Sequence, residues 1–287
     1  MRKTSQHLCR PCGLHNSHGS AREKTRPSCD FQKKTDVLED PANSNARSDE
    51  FLSNKKYRNV TEALEMFKND DLVAEPGKKF SYTTHGLTLA SAVIEKAAGR
   101  DFPTLTRELF AMLGMRSTRL DTKERIVPNR ASYYRRNELH VLENCPEVDC
   151  SYKWAGGGIL SNVLDLLKFG NAILYSTQTE NSDALLSKST ICKLLYPHMN
   201  LKDGVNAGLG WFIVDGHKIQ TTRGSESLGG YFYHTGGAVG ASSVLLVRPR
   251  PNEANAKIPN GTCVAILCNL QETSVLSLAA EIEEVFR

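Results

Sequence analysis

No stretch of the 287 residues approaches the ~18 consecutive apolar positions that a membrane-crossing helix needs. The run Val244-Leu245-Leu246-Val247 is far too short, so no membrane span is expected. A concentrated basic stripe is also missing. The 36 Lys and Arg nearly balance 32 Asp and Glu, leaving a net charge of +4. That small excess gives no reason to expect nucleic acid as a partner. Cysteine is present but not framed: Cys9, Cys12, Cys29, Cys145, Cys150, Cys192, Cys263 and Cys268 lack the spacing of a disulfide scaffold. No secretory apolar segment is found either, so free thiols in a reducing compartment are expected. Nor is there a phosphate cradle, because Gly156-Gly157-Gly158 is not followed by Lys-Ser/Thr. No cofactor is expected.

What is there suffices for a sizeable core. The chain is 40% hydrophobic and 24% charged, outside the composition of a disordered protein. Residues 1–56 form an exception. They are rich in Lys, Arg, Ser, Asn and His and show neither helical nor strand periodicity, so they read as a disordered or loose polar linker. Within them His7, Cys9, Cys12, His15, His18 and Cys29 include a Cys-x-x-Cys pair of zinc spacing. The remaining spacings are irregular and few apolar residues surround them, so no metal site is expected. A zinc-binding arm over 1–30 stands as a minor alternative.

From Tyr57 the chain reads as one folded region to its end. Ala63, Leu64 and Phe67 suggest a short helix, and Glu75-Pro76-Gly77 a turn. Leu87, Ala90, Val93, Ile94 and Ala97 recur at i, i+3 and i+4, predicting a helix with that face inward and Gly99 just past its end. Leu105, Leu109, Phe110 and Leu113 repeat the pattern up to Gly114. Ser161 is a candidate N-cap for a helix carrying Leu164, Leu167 and Leu174 inward, and another helix is expected over 190–196. After Gly208 the pattern changes. Residues 211–214, 231–234, 243–247 and 262–268 are aromatic or β-branched runs bounded by Gly, Pro and Asn, which predicts strands. Val275, Leu278, Ala279, Ile282 and Phe286 then mark an amphipathic helix that covers one sheet face. This order indicates an α+β architecture.

Three constellations carry chemistry. Tyr82-Thr83-Thr84-His85-Gly86 sets a tyrosine just ahead of an apolar helix. Trp154-Ala155-Gly156-Gly157-Gly158 is a glycine turn, and His234-Thr235-Gly236-Gly237 ends a strand. Taken singly, each has an ordinary structural reading: a half-buried tyrosine, a tight turn, a strand-end histidine and glycines for close backbone approach.

Their order and spacing resemble the class C β-lactamases and their penicillin-recognising relatives. Phe80 to Leu89 looks like the Tyr-x-Asn region of that family, and His234-Thr235-Gly236-Gly237 is similar to its Lys-Thr-Gly box. Ser151 to Gly158, Leu167 to Ala172 and His234 to Val247 resemble the mitochondrial animal members in particular. The resemblance implies a β-lactamase/transpeptidase-like fold and acyl-enzyme hydrolysis of an amide, ester or peptide substrate. It implies a mitochondrial address, with a cytoplasmic one as the alternative, and is compatible with self-association. By residue, Tyr82 matches the proton shuttle and Gly237 supplies one oxyanion N–H. Thr84, His234, Thr235 and Gly236 match substrate-binding positions, with His234 and Thr235 at those that hold a substrate carboxylate.

One part of that pattern is missing. The family's nucleophile is a Ser-x-x-Lys whose one-turn spacing sets an ammonium beside the hydroxyl. Here the only such match is Ser53-Asn54-Lys55-Lys56, in a polar run 29 residues before Tyr82. No nucleophile is identified. The family's N-terminal helix and first strands also lack a counterpart, so an incomplete fold is expected. Thr84 stands where relatives often carry an Asn that orients substrate. Two readings follow, an inactive or incomplete serine hydrolase and a non-catalytic self-associating scaffold.

Overall fold

The computed structural model describes residues 51–286 apart from 222, 223, 238, 254 and 255, and for the rest of 217–228 it describes the backbone alone. The candidate zinc cluster between His7 and Cys29, and most of the polar segment, lie outside the described residues.

The helices are α1 (Val60–Ala63), α2 (Thr84–Ala98), α3 (Phe102–Met112), α4 (Trp154–Gly157), α5 (Val163–Gln178), α6 (Lys188–Leu194) and α7 (Val275–Val285). The short strands are β1 (Arg119–Leu120), β2 (Tyr134–Arg136), β3 (Leu142–Asn144), β4 (Ile159–Leu160), β5 (Met199–Asn200), β6 (Val205–Ala207) and β7 (Phe212–Val214). They are followed by β8 (His217–Thr221), β9 (Gly224–Leu228), β10 (Tyr231–Gly236), β11 (Ser242–Pro249) and β12 (Gly261–Cys268). Six of these make one antiparallel sheet in the order β12-β11-β10-β7-β6-β5. The pairs β1-β4, β2-β3 and β8-β9 stand separately.

The sheet is apolar on both faces, and alternation along each strand assigns them. Phe232, Leu245 and Val247 face Ile173 and Leu174 of α5 and the ring of Trp211. Val244, Leu246 and Val264 face Val275, Leu276 and Ala279 of α7. Burying each large aliphatic side chain contributes on the order of 2 kcal/mol, so the two clusters fix the register of β11 on both sides. The predicted strands and closing helix all form, as does the α+β arrangement. Sequence periodicity left the β2-β3 and β8-β9 hairpins unmarked.

Two helix faces differ from expectation. In α2 the buried stripe is Thr84, Thr88 and Ser91, while Leu87, Leu89, Val93 and Ile94 are exposed. The inward face is polar because its hydroxyls are used: Thr88 Oγ1 donates to the Tyr152 carbonyl at 2.8 Å and Ser91 Oγ to the Thr88 carbonyl at 2.7 Å. In α5 the N-cap is Asn162, whose side chain accepts from the Asp165 N–H at 2.9 Å. Ser161 is engaged elsewhere, with its Oγ 2.8 Å from Thr118 Oγ1. Asp165 is buried, so the helix turns Leu164 to the surface while Leu174 stays in the core. The Asp165 carboxylate accepts from the Ser117 N–H at 2.8 Å, Thr118 Oγ1 at 3.0 Å and Lys168 Nζ at 2.8 Å. Burial pushes its pKa up, but Lys168 and these donors outweigh it and hold the carboxyl below its ordinary value.

A buried ion pair joins α7 to the sheet, with Arg248 Nε and Glu283 Oε1 2.8 Å apart and both residues below a tenth exposed. Arg248 also donates to the Gly229 carbonyl and lies 4.7 Å over the Tyr231 ring. Removing Glu283 leaves the buried Arg248 charge without its anionic partner. Glu283→Ala is therefore expected to lower unfolding stability by about 3–5 kcal/mol, measured by urea denaturation. Glu283→Ala with Arg248→Met should recover much of the loss.

Candidate active site

Tyr82 closes the loop that leads into α2. The next residue, Thr83, caps the helix, with Oγ1 accepting from the His85 N–H at 3.1 Å. Behind the cap, Gly156 permits a close approach: a Cβ there would lie 2.8 Å from Thr84 Cβ and 3.0 Å from Thr84 Cα. Thr84 is accordingly 5% exposed, facing α4, whereas Tyr82 is 38% exposed. The glycine turn thus works as a packing surface for the first turn of α2.

The sheet supplies the facing residue. His234, opposite Leu245 in the β10-β11 register, presents its ring 6.2 Å from that of Tyr82, at 38° between planes. Phe212 of β7 lies 5.7 Å from the His234 ring, and Phe80 lies 6.3 Å from Phe212. Tyr82 and Phe212 therefore form an aromatic wall beside the imidazole, with Phe80 packed against Phe212. Phe80 and Phe212 are neighbours of Tyr82 and His234 to which the sequence pattern assigns no role. Phe212 looked like an ordinary strand aromatic, and nothing local distinguishes it.

The rest of the box follows from the pleat. Gly236 pairs with Ser243, and a Cβ on Gly236 would come within 2.3 Å of Ser243 Oγ, so the glycine keeps the serine rotamer. Thr235 alternates to the other face, opposite Val244. Gly237 lies just past the strand, exposed, with open space where a Cβ would project. His234 Nδ1 is 2.6 Å from the Thr235 carbonyl oxygen, which can only accept, so Nδ1 carries the proton. Burial lowers the pKa of this ring below the ordinary histidine value, partly opposed by that hydrogen bond. Burial likewise pushes Tyr233 up to about 12, with Tyr231 adding to the effect.

Ser53 and Lys56 do not take up the nucleophile geometry. Residues 53–56 are non-helical. Ser53 Oγ accepts from the Lys55 N–H at 3.3 Å, the Ser53 carbonyl accepts from the Asp149 N–H at 3.1 Å, and Lys56 pairs with Glu124. Among the described residues no group of three His, Cys, Asp or Glu side chains is placed to hold a metal, and no helix is long and apolar enough to cross a membrane.

With this geometry in hand, comparison with known proteins is decisive for ancestry. The β-lactamase family model matches residues 33–285. The chain belongs to the β-lactamase family. It is 41% identical over 250 residues to the mitochondrial serine β-lactamase-like protein LACTB of Bos taurus, an alignment covering 81% of this chain and 44% of that protein. The Homo sapiens counterpart is 40% identical, with 81% and 45% covered. The chain thus spans under half the length of these relatives. Among solved structures, a D-stereospecific amidohydrolase from Streptomyces sp. superposes with TM-score 0.61 at 19% identity, covering 88% of this chain and 68% of that one. A class C β-lactamase gives 0.57 at 13%, covering 84% and 67%. These distant likenesses establish the fold, with mixed helices and sheet as in other β-lactamase-family proteins.

The Gly156 contact generates a direct test. Gly156→Ala sets a methyl against the Thr84 backbone, which no rotamer change relieves. A stability loss of about 1–3 kcal/mol is expected, and the Tyr82 and His234 ring resonances should shift together in NMR spectra.

Proposed function

We propose that this β-lactamase-family chain forms the acyl-recognition side of a serine hydrolase site for amide, ester or peptide substrates, in a mitochondrial setting, without providing its own Ser-Lys nucleophile. The observation that carries the reading is the approach of Tyr82 to His234, residues 152 positions apart in sequence. Acyl transfer needs an activated hydroxyl, donors for the oxyanion and a proton path to the leaving group. In this reading Tyr82 is the proton path and the Gly237 N–H, at an open strand end, is one oxyanion donor. Thr84 contributes by seating the Tyr82 loop and Gly236 by its place on the His234 face, while the Thr235 side chain lies on the opposite face and contributes through its carbonyl, which fixes the His234 ring. The mitochondrial names of the close relatives support the address, and the amidohydrolase likeness is compatible with amide substrates.

The 287-residue chain alone is expected neither to hydrolyse a chromogenic cephalosporin nor to be labelled by a fluorophosphonate. N-acetyl-phenylalanine amide should nonetheless shift the Gly237 amide and Tyr82 ring signals in NMR titration. Stoichiometric labelling mapped to a serine would overturn the first half, and shifts confined to other surfaces would overturn the second.

A second reading, self-association, is favoured by one observation. β12 ends the six-stranded sheet among the described residues, leaving an eight-residue edge with Leu267 40% exposed. A long, apolar edge strand is a template for pairing with another chain. Sedimentation velocity should show a discrete oligomer that Leu267→Lys shifts toward monomer; a monomer at all concentrations, or polydisperse aggregate, removes this reading.

A further inference from the structure

The position of His234 in its aromatic wall bears on which ligands the pocket accepts, a question that rests on the acyl-pocket reading above. Its Nδ1–H is committed to the Thr235 carbonyl, so Nε2 is the nitrogen left for a ligand. The side chains around it are Tyr82 from the loop ahead of α2, Phe212 from β7, and Leu245 opposite it on β11. Tyr82 is the titratable group among them. Burial disfavours the charged ring, and the hydrogen bond to the Thr235 carbonyl partly opposes that effect. Aromatic and aliphatic walls therefore oppose the cationic ring.

We propose that His234 meets its ligand at neutral pH as an uncharged imidazole presenting the Nε2 lone pair. The site then selects uncharged acyl groups that offer an N–H or O–H donor and apolar surface, and discriminates against free carboxylates. Carboxylates become ligands only when the ring charges. The folded ring resists protonation relative to a free histidine, so charging occurs as pH falls below the ordinary value near ~6.5 and not above it. His234 is a specificity-determining residue in this assignment.

The test uses the full chain and two probes that differ in one group, N-acetyl-phenylalanine amide and N-acetyl-phenylalanine. At pH 7.5 the amide should bind about tenfold or more tightly than the acid, and the ratio should narrow at pH 5.5. Nitrogen-15 spectra of the His234 ring should show the Nδ1–H tautomer at pH 7.5, titrating below 6.5. His234→Lys should reverse the preference toward the acid, whereas His234→Gln, which stays neutral, should keep it; a purely structural histidine would leave the ratio unmoved in both. An imidazolium at pH 7.5, or an acid bound as tightly as the amide, overturns the proposal. A neutral Nδ1–H ring with neither probe bound instead shows that the pocket is not an acyl site, and the ligand preference falls with it.

Discussion

The first turn of α2 sits against α4 with only a hydrogen atom of Gly156 between Thr84 and the α4 backbone, where a Cβ would lie 2.8 Å from Thr84 Cβ. The Thr88 hydroxyl donating to the Tyr152 carbonyl at 2.8 Å fastens the same interface one turn further on. Because Thr83 caps the helix with its own side chain, the chain direction just upstream is set as well, and with it the placement of Tyr82. Seating of that phenol is therefore a consequence of helix packing. A helix with larger inward side chains would stand farther from α4 and would move the loop away from the sheet.

The second half of the site depends on strand register. Both sheet faces are buried, one under α5 and the other under α7, so a one-residue slip of β10 would exchange the two sets of side chains. The same alternation puts Phe232 in the α5 core and His234 two residues on at the rim of that face. The Arg248–Glu283 pair locks the α7 side at the far end of β11. A buried pair of this kind adds little net stability over an apolar substitute, and its value lies in tolerating few alternative arrangements.

Much of this was legible in the sequence where local pattern and tertiary demand agree. The aromatic and β-branched runs became β7, β10, β11 and β12, the final amphipathic run became α7, and Gly99 ends α2 with φ of 65°. Legibility failed where small polar residues do the packing. In α2 the apolar periodicity was real but pointed the wrong way, because Thr84, Thr88 and Ser91 satisfy their hydroxyls internally and allow closer backbone contact than leucine permits. In α5 Asp165 is buried with three partners, a burden that hydropathy assigns to solvent. The pairing of Tyr82 with His234 followed from family resemblance, since no local rule brings together residues so far apart. Phe80 and Phe212 escaped notice because an aromatic residue in a strand or loop carries no signal of which ring it packs against.

The chemistry of the site turns on where positive charge comes from. A tyrosine can move a proton near neutrality only if a cation lowers its pKa from about 10. Under the proposed neutral state, the His234 imidazole packed beside Tyr82 does not provide that cation. In the family pattern the ammonium of Ser-x-x-Lys stands beside the nucleophile, whereas Lys56 is paired with Glu124 in a non-helical segment. Ser53 and Lys56 therefore do not reproduce that arrangement. On the proposed reading an attacking hydroxyl still needs a base to take its proton and a charge to prepare the tyrosine shuttle, so recognition of an acyl group and its cleavage are physically separable.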